Sequence, residues 1–139
     1  MSHNDDVVRQ VFAMWEQPGL DSTLEAWRKH CWPDLVWWNS ARGMLQGLDP
    51  CLQGIEQMYE TLEIARLEVP VRTLDALADR IIVERSDNMY RADRSVIARV
   101  PVTGIIEFKD GRISMWRDYC DDWMTKLATG VELGPQSAP

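Results

Sequence analysis

The 139-residue chain is the size of one compact domain, and its 45% apolar and 27% charged residues are enough to bury a core in water. A net charge of −7 and a scatter of only 15 basic residues exclude the clustered Lys and Arg that nucleic acid or an anionic membrane surface requires. No apolar run of about 18 residues offers a membrane span, and the polar, acidic opening MSHNDDVVRQ does not read as a secretory signal. Cys31, Cys51 and Cys120 are odd in number and lack metal spacing, so they are expected as free, partly buried thiols in a reducing, cytoplasmic setting.

Val7, Val8, Val11, Phe12 and Trp15 recur at helical spacing and predict a first helix over about Asn4 to Glu16, capped by Asn4 or Asp5 and broken at Pro18-Gly19. A second helix is predicted from about Asp21 to Cys31, with Asp21 or Ser22 as cap and Leu24, Trp27 and Cys31 buried. Pro33-Asp34 reads as a turn into a short strand, Leu35 to Trp38, followed by a glycine-rich loop. A third helix is predicted from about Pro50 to Glu63, its apolar stripe formed by Ile55, Met58, Tyr59 and Leu62. Strands are then expected over about Glu68–Leu77, Ile81–Tyr90, Ser95–Lys109 and Arg112–Cys120, the last two joined by a tight Asp110-Gly111 hairpin. Helices followed by antiparallel strands make an α+β domain over residues 1–130, a curved sheet with helices against its concave side enclosing a cavity; residues 131–139 read as a flexible tail.

Alternation along a strand puts Ile81, Val83, Arg85 and Asp87 on one face, and the apolar members turn that face inward. A guanidinium and a carboxylate then meet in the interior, where an unpaired charge is costly, so they are expected to be partners. On the last strand Ser114, Trp116 and Asp118 share a face, which adds a second interior carboxylate. Were the two strands neighbours, the forked guanidinium of Arg85 could hold both acids. Two carboxylates around one arginine can share a proton and so work as an acid and a base. With only His3 and His30 in the chain, and His30 read as a helix-end residue, carboxylates are the main candidates for proton transfer. The seven tryptophans are assigned mostly to the core, with one of Trp37 and Trp38 and also Trp116 as candidate pocket walls. Met14, Met44, Met58, Met89 and Met115 are assigned as core filler, and Cys120-Asp121-Asp122 as a solvated strand end.

Val83-Glu84-Arg85-Ser86-Asp87, Pro101-Val102-Thr103-Gly104-Ile105-Ile106-Glu107-Phe108, Asp110-Gly111-Arg112-Ile113 and Trp116-Arg117-Asp118-Tyr119 together resemble the limonene epoxide hydrolase family, over most of the chain and most strongly from Val83 to Asp121. The resemblance implies an NTF2-like, SnoaL-like cone and a homodimer packed through the outer sheet face. It also implies an Asp-Arg-Asp triad of Asp87, Arg85 and Asp118 that adds water to a hydrophobic, terpene-like epoxide in one step, with no metal or organic cofactor. In that scheme Asp118 is the base, Asp87 the acid, Arg85 orients both, and Asn39 positions the water. The family's Tyr-x-Asn is matched by Trp37-Trp38-Asn39, so an indole that donates but cannot accept a hydrogen bond stands where the family has a phenol. Either Asp118, Asn39 and the Trp37 N–H hold the water, or hydrolysis has been lost or the substrate changed. Two other readings of the pocket stay open: an isomerase or cyclase of the same fold, and a non-catalytic carrier of apolar molecules.

Overall fold

Val7, Val8, Val11, Phe12 and Trp15 are all buried along one stripe of α1 (His3–Trp15), as their spacing requires, in a computed structural model that describes residues 3–129. The helix starts at His3, which puts Asn4 and Asp5 inside its first turn rather than at its cap. Gly19 takes a positive φ of 86° and reverses the chain into α2 (Asp21–His30). The cap position of α2 is Leu20, with no side-chain cap bond, so neither Asp21 nor Ser22 has the expected role. Asp21 in the first turn and Arg28, Lys29 and His30 in the last instead oppose the ends of the helix dipole.

Cys31 opens β1 (Cys31–Asn39) instead of closing the second helix, and Pro33 lies within that strand where a turn was expected. Its missing N–H costs little, because the β1–β7 register shifts between Cys31 and Val36 and leaves that stretch without ladder partners. The glycine-rich segment contains a short strand, β2 (Gly43–Gln46), and α3 (Leu48–Leu62) follows with Pro50 in its first turn. The strand expected over residues 68–77 is two pieces, β3 (Arg66–Glu68) and β4 (Val71–Leu77), with Pro70 in the gap. Proline has no N–H for a ladder, and here its carbonyl accepts from Ser86 N at 3.1 Å.

β5 (Arg80–Tyr90), β6 (Val96–Lys109) and β7 (Arg112–Tyr119) form the long centre of the sheet. Asp110 and Gly111 both take positive φ, which a two-residue hairpin of the twist-matching kind demands. The chain then enters α4 (Trp123–Ala128), capped by Asp122 accepting from Thr125 N at 3.3 Å. The sequence reading had only a solvated strand end before this point.

The sheet runs β2-β1-β7-β6-β5-β3, with β4 also on β5; β1 and β7 are parallel and every other pairing is antiparallel. It is curved and unclosed, an α+β fold in which α1 packs on β4 and β5, and α3 on β1 and β2. The core between the layers includes Val8, Leu35, Ile81, Val83, Ile106, Ile113 and Trp116, all with essentially no exposure. The tail expected over 131–139 lies outside the described residues.

Candidate active site

Inward alternation along β5 buries Ile81, Val83 and Arg85 and carries Asp87 to the cavity edge. Arg85 donates from Nε to Asp87 Oδ1 at 2.9 Å and from Nη2 to Asp87 Oδ2 at 3.1 Å. The same guanidinium donates from Nη1 to Asp118 Oδ1 at 3.0 Å and from Nη2 to Asp118 Oδ2 at 3.1 Å. Arg85 therefore clamps two carboxylates at once, its side chain wholly buried while those of Asp87 and Asp118 keep 25% and 7% exposure.

The two strands that carry this cluster are not neighbours. β6 lies between β5 and β7, so their axes are about 10 Å apart. The bridge forms because Gly104, the β6 residue paired with both Val83 and Asp118, has no side chain. A Cβ there would stand 2.8 Å from Arg85 Nη1 and 3.0 Å from Asp118 Oδ1. From sequence Gly104 carries no role beyond its place in the Pro101–Phe108 motif. The available signal was a lone glycine inside an apolar strand, which marks a close approach.

Aromatic rings surround the cation. The Arg85 guanidinium carbon lies 5.3 Å from the Phe12 ring, 5.8 Å from Trp15 and 5.9 Å from Trp116, distances at which ring faces stabilise a desolvated charge. Trp116 is not in the pocket wall; it is fully buried and donates Nε1–H to Asp118 Oδ1 at 2.8 Å. Ser114, expected on the same face, leaves it at a register shift where β6 residues 107 and 108 oppose β7, and donates to the Glu107 carbonyl.

Burial raises the pKa of Asp87; Arg85 opposes the rise and the charge of Asp118 adds to it. For Arg85 burial works against the charge, but the two carboxylates outweigh it and the guanidinium is held more firmly protonated than usual. A buried acid with a raised pKa beside a second acid is an arrangement suited to general acid and base work.

The cluster faces a cavity of about 640 Å3, counted out to its solvent-open mouth. Its walls are largely apolar and aromatic, with Trp15, Trp27 and Trp37, Met58, Met89 and Trp123 among them. Two of the methionines assigned as filler thus face the ligand space, while Met44 is 60% exposed. Trp37 faces in and Trp38 faces out, its ring edge-on to Tyr119. Asn39 sits in the wall, paired in register with Asp118; its Oδ1 accepts from Ala41 N at 2.9 Å and from the Cys120 thiol at 3.6 Å. The sequence reading did not place Thr23, Tyr59, Arg42 or Cys120 in the pocket; they come from four separate segments with no shared motif. His30 ends α2, buried, outside the pocket. The cysteines are free, and among the described residues no three His, Cys, Asp or Glu side chains converge as metal ligands. No helix there is long and apolar enough to cross a membrane.

The architecture is that of the NTF2-like and SnoaL-like folds. A SnoaL-like protein of Jannaschia sp. CCS1, provisionally named a polyketide cyclase, matches with a TM-score of 0.73 and 17% identity over 97% of this chain and 94% of its own. An epoxide hydrolase of M. tuberculosis described as limonene-epoxide-hydrolase-like matches with a TM-score of 0.68 and 22% identity over 93% and 92%. An NTF2-like protein of unknown function from Burkholderia pseudomallei K96243 matches with a TM-score of 0.72 and 18% identity over 91% and 96%. No curated protein matches. The family model for the limonene-1,2-epoxide hydrolase catalytic domain matches residues 4–129, and the chain belongs to that family.

Proposed function

We propose that the chain hydrolyses a hydrophobic epoxide to a vicinal diol. The observation that carries this reading is the guanidinium of Arg85 held between Asp87 and Asp118 at the wall of an aromatic pocket. Asp118, ionised, takes a proton from a water molecule; the water oxygen forms a bond to one epoxide carbon from behind while that same carbon's bond to the ring oxygen breaks. Asp87, whose burial favours its protonated form, donates that proton to the departing ring oxygen. Arg85 holds both acids in place, and Asn39 and Trp37 face the space where the water would sit. Each carboxylate ends in the other's starting protonation state, and exchange with solvent resets the pair. The substrate class and these roles rest on the family membership together with that geometry.

One observation favours a second reading, an isomerase or cyclase. Trp37 cannot accept a hydrogen bond, so the water loses one partner, and a rearrangement of the substrate needs no water. Incubating an epoxide panel in isotopically labelled water separates the two: the hydrolase places one labelled oxygen in each diol, whereas an unlabelled isomer or cyclised product overturns it. In the same assay Asp118→Asn should lower turnover by about 100- to 10,000-fold.

We further propose that two copies associate through the outer sheet face, where Trp38, Ile82, Ile105 and Met115 are half-buried and Tyr119 is exposed.

A further inference from the structure

Asn39 and Asp118 sit where the ladder between their strands stops. They form the last register pair of parallel β1 and β7; β1 ends at Asn39 and β7 ends one residue after Asp118. The terminal rung of a ladder opens most readily, because nothing beyond it holds the chains together. Here the next residue supplies the hold. Ser40 donates its backbone N–H to the Asp118 carbonyl at 2.9 Å. Its hydroxyl donates to the Cys120 carbonyl at 2.7 Å and accepts from the Cys120 N–H at 2.8 Å. One side chain thus takes both backbone groups of Cys120 and continues the pairing past the end of the strands.

The residues at the two ends of this tether also fix the Asn39 amide. Its Oδ1 accepts from the N–H of Ala41, next to Ser40, at 2.9 Å, and from the thiol of Cys120 at 3.6 Å. Turned over, the amide would set its NH2 against the Ala41 N–H, donor against donor. Among the described residues Nδ2 donates to no protein atom, so its two N–H groups are what Asn39 has left for a molecule in the cavity it lines. A donor is what an attacking water needs from this side. It holds one lone pair, leaves the other for carbon, and leaves the proton to be lost for Asp118. An accepting amide would compete with Asp118 for the protons of the water.

We propose that Ser40 is a positioning residue: by tying β1 to β7 beyond their last rung, it holds the Asn39 amide, locked as a donor, and the Asp118 carboxylate in one fixed geometry. Ser40 itself is exposed and outside the cavity wall, so it acts only through the residues it ties. What this does for turnover rests on the hydrolase reading; the tether and the locked amide do not.

Ser40→Ala removes the hydroxyl and keeps the backbone N–H; Ser40→Thr restores the hydroxyl with a methyl for which the exposed position has room. The first readout is heteronuclear NMR. In Ser40→Ala the Cys120 amide should exchange with solvent at least about tenfold faster, while amides of the β5–β6 ladder, the control for global opening, stay as they are. The two Asn39 Nδ2–H signals, assigned with Asn39→Asp, should be sharp and separate in the parent and should shift or broaden in the alanine variant. The second readout is kinetic. For a hydrophobic epoxide kcat should fall about tenfold at unchanged KM, and Ser40→Thr should recover both kcat and the parent amide signals. An unaltered Cys120 amide, unmoved Asn39 signals, or an unchanged kcat in an active enzyme overturns the proposal. So does a threonine variant that protects the Cys120 amide again yet stays as slow as alanine. If the parent places no label from water in a diol, but Ser40→Ala frees the Asn39 amide and Ser40→Thr locks it again, the positioning stands and hydrolysis fails. Labelled diol formed by Ser40→Ala at the parent's kcat has the opposite meaning.

Discussion

Asp87 is the residue at which stability and chemistry are opposed. Burial raises its pKa, so ionisation is less favourable in the folded protein than in the unfolded chain. A group whose folded pKa is raised contributes its stability in full below the unfolded value and loses it as pH climbs through the folded value. Asparagine cannot ionise. Asp87→Asn should therefore melt higher relative to the parent as pH rises through the shifted pKa, with each 1 kcal/mol of difference worth about 2–4 °C. Parallel melting curves for the two proteins between about pH 4 and 8 test this, and a gap that stays flat or narrows with rising pH defeats it. In the proposed hydrolysis this is the proton that is transferred, so in the parent protein turnover should decline on the alkaline side as Asp87 loses it, and the Asn variant should be inactive at every pH. A protein whose Asp87 were only a structural partner of Arg85 would show the stability effect without the loss of turnover. Trp116 is the second residue with a definite task, since its N–H fixes one oxygen of Asp118 at 2.8 Å. Trp116→Phe keeps the ring beside the guanidinium and removes that bond. Turnover should fall by about tenfold at unchanged KM, a loss on the scale of one hydrogen bond to a charged group; an unaltered kcat rules out a positioning role for the indole.

Among the elements, β6 decides whether a site exists at all. Its neighbours each bring charged side chains that cannot touch across an intervening row of side chains, and Gly104 opens that row. Gly104→Ala places a methyl 2.8 Å from Arg85 Nη1, a nitrogen on a side chain that is wholly buried and so has nowhere to retreat. The clamp must shift instead. Turnover should drop by about 100-fold, as expected for a displacement of order 1 Å, and stability by about 1–3 kcal/mol from overpacking. Steady-state kinetics and denaturant melts measure the two, and wild-type kinetics in the variant would show that the close approach is irrelevant. Strand alternation was enough to turn Arg85 and Asp87 inward from the sequence, and Asp110-Gly111 was enough to place the β6–β7 hairpin. Alternation says nothing about which strands are adjacent, so the sequence reading needed β5 and β7 to be neighbours and had no task for the glycine between them. The other misreadings have equally local causes. β2 and α4 span four and six residues, too few for a period to register. β3 and β4 read as one strand because Pro70, which divides them, is flanked by strand-forming residues on both sides.

At the level of the whole molecule, the two faces of the sheet differ in character. The concave face holds the clamp and the pocket. The convex face carries Trp38 edge-on to Tyr119 at 5.0 Å, Tyr119 itself 44% exposed, and a depression where Arg72, Glu84, Ser86 and Thr103 stand beside Pro70, Pro101 and Tyr119. An aromatic pair beside a depression suits a two-fold contact, in which the Tyr119 side chains of two copies pack on one another's sheet. Each copy carries a net charge of −7, so association must work against long-range repulsion. That sets the sign of the salt dependence: screening should tighten the dimer, because its aromatic contacts are insensitive to salt while the repulsion between the two net charges is screened. Sedimentation of the parent chain should give a dimer that is firmer in about 0.5 M salt than at low ionic strength, where the screening length is several times longer. Tyr119→Asp puts a charge into the contact while leaving the concave face untouched, and should yield monomers that keep the parent's turnover of an epoxide. A chain that sediments as a monomer at all salt concentrations, or a dimer that Tyr119→Asp leaves intact, removes the convex face as the interface. A monomeric variant that loses the pocket as well shows that the curvature of the sheet depends on the partner.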